Sequence, residues 1–319
     1  MKIQKRAGIV CCSNGLSKDK ESTLRQLTEV LEQAGVEPIY SNYIFAKSGV
    51  RSGTAEERSA ALMEFYRSPE IDIIFDISGG DIANEILPYL DYDVIAKAKD
   101  RNGQPKAFWG YSDLTVVLNA IYTKTGNLGV LYQVRNLIAE ENLDRRKVFQ
   151  EEMRYTYAQN GEGEEPEIPM QSANIGQLDG TVQSGSLYDF RYTFLQGNQL
   201  SGIVVGGNIR CLLKLAGTEY FPDMAGKVLL LEAYSGVQSQ IITYLGQLKQ
   251  LGIFEKINGI LLGTFTQYEQ QMKLEPALSS IGQLVMEFAG KELPIVKTQE
   301  VGHGLDAKAV KIGRMICLK

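Results

Sequence analysis

The sequence predicts an α/β protein: an N-terminal domain built on a parallel sheet, then a C-terminal mixed α/β domain with a β-rich part. Two observations predict it. Apolar runs of strand length alternate with amphipathic helical periods over residues 1–156, the pattern of a parallel sheet covered on both faces. The stretch from Tyr157 to Gln177 is then rich in Gly, Glu and Pro and has no apolar period, after which strand-like runs resume. The division expected is an N-terminal domain at 1–156, a linker at 157–180 and a C-terminal domain at 181–319.

The elements follow in order. "AGIVCC" reads as a buried strand and "SNGLS" as the loop after it. In "DKESTLRQLTEVLEQAG", Leu24, Leu27, Val30 and Leu31 fall on one helical face, and Gly35 supplies the stop. "VEPIYS" is a strand. "TAEERSAALMEFYRSP" is a helix with Thr54 as N-cap and Glu57 in the capping-box position. "IDIIFDI" is a strand ending in Ser78-Gly79-Gly80-Asp81, and a helix is expected from about Ala83 to Leu90. "KAFWG" is the next strand. "DLTVVLNAIYTKTGN" follows as a helix with Leu114, Val117, Leu118 and Ile121 on one face and Gly126 as its stop. Beyond the linker, "GTVQSGSLYDFRYTFLQGNQLSGIVVGGN" alternates like strands. Helices at "IRCLLKLAG", "QSQIITYLGQLKQLG" and "ALSSIGQLVMEFAG" then alternate with strands at "KVLLLEAYS" and "INGILLGTF", and strand-like runs close the chain.

Composition narrows the function. The chain has 319 residues, 44% hydrophobic and 22% charged, which is ordinary for a soluble globular protein. The 33 basic and 38 acidic residues leave a formal charge of -5, which offers no field for a polyanion, so nucleic acid is not an expected partner. Neither a signal peptide nor a bilayer-spanning run is visible, and the expected compartment is the cytoplasm, with no membrane partner. The four cysteines have neither metal-site spacing nor a disulfide framework, so no metal and no cofactor are expected. Cys11 reads as a small buried strand residue rather than a reactive thiol.

Chemistry concentrates at three places. In "KAFWGYSDLT" a strand breaks at Gly110 and a helix begins at Leu114. Ser112 between them is either a helix cap, as Asp113 could be, or a nucleophile lifted out of the sheet edge by a sharp turn. The helix start behind it would supply N–H groups to an oxyanion. A serine needs a base, and the single histidine, His303 in "QEVGHGLD", is the only candidate for a histidine base. Glu232 directly follows "KVLLL", at the strand end where α/β sites collect; it is either solvated or the acid that orients the histidine. The paired glycines of Ser78-Gly79-Gly80-Asp81 could form half of an oxyanion hole or a plain turn.

Taken together, "SGGD", "WGYSDLT", "VVGGNIRCLLKLAGT", "KVLLLEAYS" and "LPIVKTQEVGHG", in this order, resemble the LD-carboxypeptidase family of serine peptidases, which includes the microcin-immunity serine carboxypeptidases. The resemblance spans nearly the whole chain and is weakest from about Glu151 to Ser201. It implies a triad of Ser112, Glu232 and His303, with oxyanion donors from the backbone N–H groups of Asp113 and of the Gly80-Asp81 turn. It also implies a site in a groove between the two domains, a homodimer, and hydrolysis of the terminal L,D-peptide bond of cytoplasmic muropeptides in peptidoglycan recycling. The microcin branch implies instead an amidase acting on aminoacyl-nucleotide conjugates; an inactive peptidoglycan-fragment binder is the non-enzyme alternative. The sequence departs from the family where relatives carry arginines after the Glu: Gln240 and Thr243 stand there. It departs again at "GVLYQVRN", where relatives carry a Gly-Pro pair.

Overall fold

The computed structural model describes residues 5–158 and 186–319. β1 (Lys5–Val10) leads into α1 (Glu21–Gln33), whose buried side chains are the predicted Leu24, Leu27, Val30 and Leu31. β2 (Val36–Tyr40) precedes α2 (Ala55–Arg67). A reciprocal cap fixes the start of α2: the Glu57 N–H donates to Thr54 Oγ1 at 3.2 Å, and the Thr54 N–H donates to Glu57 Oε2 at 2.8 Å. β3 (Ile73–Asp76) ends at the Ser78–Asp81 turn.

The helix expected after that turn is a 3₁₀ stretch, Ala83–Tyr89, with Pro88 inside it. Proline has no N–H to donate, and its ring clashes with the carbonyl four residues back, so an α-helix cannot run through this position. A further helix, α3 (Tyr92–Lys97), starts at once because the Asp91 carboxylate accepts from the Val94 N–H at 3.1 Å. β4 (Ala107–Gly110), a 3₁₀ turn at Ser112–Leu114 and α4 (Thr115–Thr125) follow, and α4 stops at Gly126 with φ 74°. β5 (Gly129–Leu131) and α5 (Leu143–Ala158) complete this half. The expected linker lies outside the described residues, except for its first two, which end α5.

The second half contains β6 (Thr193–Gln196), β7 (Leu200–Asn208), α6 (Ile209–Leu213), β8 (Lys227–Ala233), α7 (Gln238–Gln250), β9 (Gly259–Phe265), α8 (Thr266–Leu274) and α9 (Ile281–Ala289). Three short strands close it: β10 (Ile295–Lys297), β11 (Val310–Ile312) and β12 (Met315–Leu318). The first sheet has the order β11-β5-β4-β3-β1-β2, parallel except for β11. The second has the order β12-β7-β8-β9-β10-β6, parallel from β7 to β10 and antiparallel at both edges. β6 and β7 are therefore far apart in the sheet, although only three residues separate them in sequence. β11, from the end of the chain, crosses back to finish the first sheet.

The sheets share a core. One buried apolar cluster contains Val10, Leu114 and Leu118 of the first half together with Val204, Leu230 and Val296 of the second. α4 lies inside this cluster, and every residue from Thr115 to Ile121 is buried, not only the predicted face. A helix packed between two layers has no solvent side, so a one-sided apolar stripe understates its burial. The polar side chains buried with it face the second sheet. Asn119 Oδ1 accepts from the Gly206 N–H at 2.8 Å, and its Nδ2 donates to the Gly206 carbonyl at 2.9 Å. Thr115 Oγ1 accepts from the Asn208 N–H at 3.0 Å. Side chains at 206 and 207 would break this approach: a Cβ on Gly207 would sit 2.7 Å from Thr115 Oγ1, and one on Gly206 would sit 2.3 Å from the Leu230 carbonyl.

Asn119→Ala leaves both backbone groups of Gly206 buried and unpaired. The expected cost is about 2–4 kcal/mol, from roughly 1–3 kcal/mol per orphaned group. Chemical denaturation of the variant against the parent measures it, and a loss under about 1 kcal/mol would show that the clasp is dispensable.

Candidate active site

Strand order places the site. β1 and β3 are neighbours, yet the chain leaves β1 for β2 on one side and passes from β3 to β4 on the other. The loops after β1 and β3 therefore diverge and open a crevice at the carboxyl ends of the strands. Asp76, 1% exposed at the end of β3, ties the two loops together. It accepts from the Cys12 N–H at 2.7 Å, the Ser78 N–H at 2.8 Å and Ser78 Oγ at 2.5 Å. Burial pushes its carboxyl up, and the bonds from Ser78 and Cys12 pull the other way. Burial, then the charge of Asp76, pushes the thiols of Cys11 and Cys12 well up, which keeps both inert and agrees with a packing role for Cys11.

The turn after β3 wraps around Asn14. Gly80 has φ +127°, and a Cβ there would lie 2.2 Å from the Asn14 side chain. The Asp81 N–H, an anticipated oxyanion donor, is already engaged with Asn14 Oδ1 at 3.3 Å. The N–H groups of Gly80 and Asp113 donate to no acceptor among the described residues.

Ser112 has φ 56° and is the one non-glycine residue with positive φ among the described residues. Holding an L-residue there costs roughly 1–2 kcal/mol, which the surroundings must offset. They do so through Asp113, which is fully buried. Its carboxylate accepts from Ser13 Oγ at 2.6 Å, the Ala83 N–H at 2.8 Å and Lys214 Nζ at 2.5 Å. Neither Ser112 nor Asp113 caps the following helix with its side chain, so the helix-cap reading of this turn is set aside.

The second sheet supplies the remaining groups. Glu232, fully buried, ends β8 opposite Asn208 of β7. His303 lies on the loop after β10, and that loop crosses β9, where the Thr264 N–H donates to the Val301 carbonyl at 2.8 Å. The crossing needs glycine on β9: a Cβ on Gly263 would be 2.3 Å from the Val301 carbonyl and 3.1 Å from Glu232 Cβ. His303 Nδ1 and Glu232 Oε2 are 2.7 Å apart. An N–H donating from Nδ1 to the carboxylate leaves Nε2 of the neutral ring unprotonated.

Tyr111, the residue before Ser112, links the two halves. Its hydroxyl is 3.2 Å from Glu232 Oε2 and 3.2 Å from His303 Nδ1. Tyr111 packs edge-on to the imidazole at a centroid distance of 4.7 Å, and the exposed Tyr234 lies tilted to it at 5.0 Å. Glu232 and His303 are hydrogen-bonded to each other, and both lie against Tyr111, the neighbour of Ser112 in the chain. No hydrogen bond joins Ser112 Oγ to His303, although both were expected within reach of each other. The buried Glu232 carboxylate holds the ring at Nδ1.

Sequence reasoning missed Tyr111, Asn14 and Lys214, because nothing in strand periodicity tells a buried polar contact from packing. Gln240 and Thr243 are exposed on α7. Gln240 Oε1 accepts from the Val237 N–H at 3.1 Å, and Thr243 Oγ1 donates to the Ser239 carbonyl at 2.9 Å. The cations beside the Ser112 turn are Arg210, bonded to the Asp81 carboxylate, and Lys214, which also donates to the Asp81 carbonyl at 2.8 Å. Among the described residues no cluster of three His, Cys, Asp or Glu side chains could hold a metal ion, and no helix is long and apolar enough to cross a membrane.

Known proteins share this arrangement of sequence and fold. Residues 7–133 match the model of the LD-carboxypeptidase N-terminal domain, and residues 201–318 match that of the LD-carboxypeptidase C-terminal domain. The chain is 25% identical to the Microcin C7 self-immunity protein MccF of Escherichia coli over 86% of its own length and 79% of that protein. It is 27% identical to a probable murein peptide carboxypeptidase of Bacillus subtilis over 89% of its own length and 80% of that protein. Among solved structures, MccF in complex with glutamyl sulfamoyl guanosine superposes with a TM-score of 0.79 at 22% identity, covering 99% of this chain and 93% of that one.

Gly263→Ala tests how the histidine loop is held. The added methyl must displace the Val301 carbonyl, at a cost of about 1–3 kcal/mol, as for other overpacked sites. Thermal denaturation should record the loss, and the NMR signal of the single histidine should shift as its loop moves; an unchanged melting curve would mean that β9 does not set the loop's height.

Proposed function

From the LD-carboxypeptidase family, to which this chain belongs, we propose a serine carboxypeptidase that removes the terminal residue across the L,D-peptide bond of cytoplasmic muropeptides in peptidoglycan recycling. The observation that carries the reading is the strained Ser112 turn together with the 2.7 Å Glu232–His303 contact, joined through Tyr111, which precedes Ser112 and touches both. Ser112 Oγ attacks the scissile carbonyl while His303 Nε2 takes its proton. Glu232 holds the ring through Nδ1 and stabilises the imidazolium. The N–H groups of Gly80 and Asp113 are the oxyanion donors of this reading, each worth about 3–4 kcal/mol in sites of this kind. His303 then protonates the leaving amine, the terminal amino acid departs, and water hydrolyses the acyl-serine by the same route in reverse. In this reading Arg210 and Lys214, paired with Asp81 and Asp113 beside the Ser112 turn, offer fixed cations to a substrate carboxylate in place of arginines at 240 and 243.

A second reading has one observation in its favour. MccF is among the relatives, and Tyr234 offers an exposed ring beside His303 on which a nucleobase could stack. The reaction would then be hydrolysis of the amide in an aminoacyl-nucleotide conjugate by the same groups.

Incubation with muropeptide tetrapeptides and with aminoacyl sulfamoyl nucleosides, read by mass spectrometry, separates the two. Loss of one terminal residue from the tetrapeptide is the expected result, and cleavage of the nucleosides alone would replace it with the second reading. Ser112→Ala should lower turnover on the order of 10⁴-fold or more and leave the fold intact. A fluorophosphonate probe should label the parent and not this variant; no labelling of folded parent protein would favour a binder without activity.

A further inference from the structure

Glu232 Oε2, His303 Nδ1 and the Tyr111 hydroxyl form a closed triangle of contacts at 2.7, 3.2 and 3.2 Å. Glu232 is fully buried, Tyr111 is 5% exposed, and Glu232 Oε1 has no hydrogen-bond partner. The ionisable groups touching the imidazole are Glu232 from β8, Tyr111 from the end of β4 and Tyr234 from the turn after β8.

Two proton arrangements satisfy the 2.7 Å contact. In one, Nδ1–H donates to the carboxylate. In the other, which holds one more proton, taken up from solvent, a carboxyl O–H donates to Nδ1 and the proton of the neutral ring sits on Nε2. The phenol distinguishes them. In the first arrangement Oε2 has lone pairs for both donors. In the second, Nδ1 has spent its only lone pair and the carboxyl O–H oxygen is a poor acceptor, so a buried phenol O–H is left without a partner. Burial, then the charge of Glu232, pushes the Tyr111 phenol well above its ordinary range, so it remains a donor.

We propose that Tyr111 is a positioning residue: its O–H, aimed at Glu232 Oε2, selects the arrangement with the proton on Nδ1 and keeps Nε2 open as the base. The inference rests on the serine–histidine reading above. It makes the residue before the nucleophile the device that ties the base, carried by the second sheet, to the turn at the edge of the first.

The single histidine makes the test direct, because ¹⁵N-histidine labelling of the full chain gives one pair of ring-nitrogen signals. In the parent, the neutral ring should show a protonated Nδ1 and a bare Nε2. Tyr111→Phe keeps the ring and removes the O–H; the Nε2–H form should appear, and kcat should fall about tenfold to hundredfold with little change in KM. Glu232→Gln removes the carboxylate whose protonation the phenol disfavours, so adding Tyr111→Phe to it should cost nothing further. A parent-like nitrogen pattern in Tyr111→Phe, or losses that simply add in the double variant, overturns the inference. A parent ring with its proton on Nε2 overturns the serine–histidine reading instead. If the phenylalanine variant does not fold, 3-fluorotyrosine at position 111, a stronger donor, should weaken Oε2 as an acceptor and move the Nδ1 proton signal upfield; an unmoved signal overturns the proposal.

Discussion

The packing of α4 between two sheets is the constraint on which the site depends. Ser112 enters from the edge of the first sheet, whereas Glu232 and His303 hang from the second. Their relative positions are only as fixed as the contact between the sheets. That contact is a continuous apolar core with Asn119 and Thr115 bonded to the backbone of β7 at Gly206 and Asn208. Apolar burial alone would hold the layers together without fixing how they slide. Buried hydrogen bonds are directional and costly to leave unmade, so they set the register.

The same economy governs the nucleophile turn. A positive φ at Ser112 is unfavourable, and three bonds to the buried Asp113 carboxylate hold it in place. They arrive from the loop after β1, the start of the 3₁₀ stretch and the C-cap of α6 in the second half. The turn is thus fastened to both halves, and these contacts offset its strain. Charge-assisted bonds to a buried carboxylate exceed neutral ones in strength, so three of them outweigh a strain of roughly 1–2 kcal/mol.

Around the site the charges are arranged in pairs. Arg210 and Lys214 face Asp81 and Asp113, while α7 presents the neutral Gln240 and Thr243. The fixed cations of this region therefore lie on the side of the Ser112 turn rather than on α7. Tyr234, exposed next to the imidazole, gives the opposite wall an aromatic surface.

The sequence by itself determined the α/β class and most of the elements. Leu24, Leu27, Val30 and Leu31, the Thr54–Glu57 cap and the stop at Gly126 are local patterns, and local patterns survive folding. The singular His303 and the strand-end position of Glu232 were legible for the same reason. Tertiary structure alone decided the rest. Pro88 tightened a predicted helix into a 3₁₀ stretch, α4 lost its polar face between two layers, and β11 returned to the first sheet. Asn14 took the Asp81 N–H, and Tyr111 came within hydrogen-bond distance of Glu232 and His303, 121 and 192 residues away. Such contacts join residues distant in the chain through directional bonds, and no period of 2 or 3.6 encodes the partner of a buried polar atom.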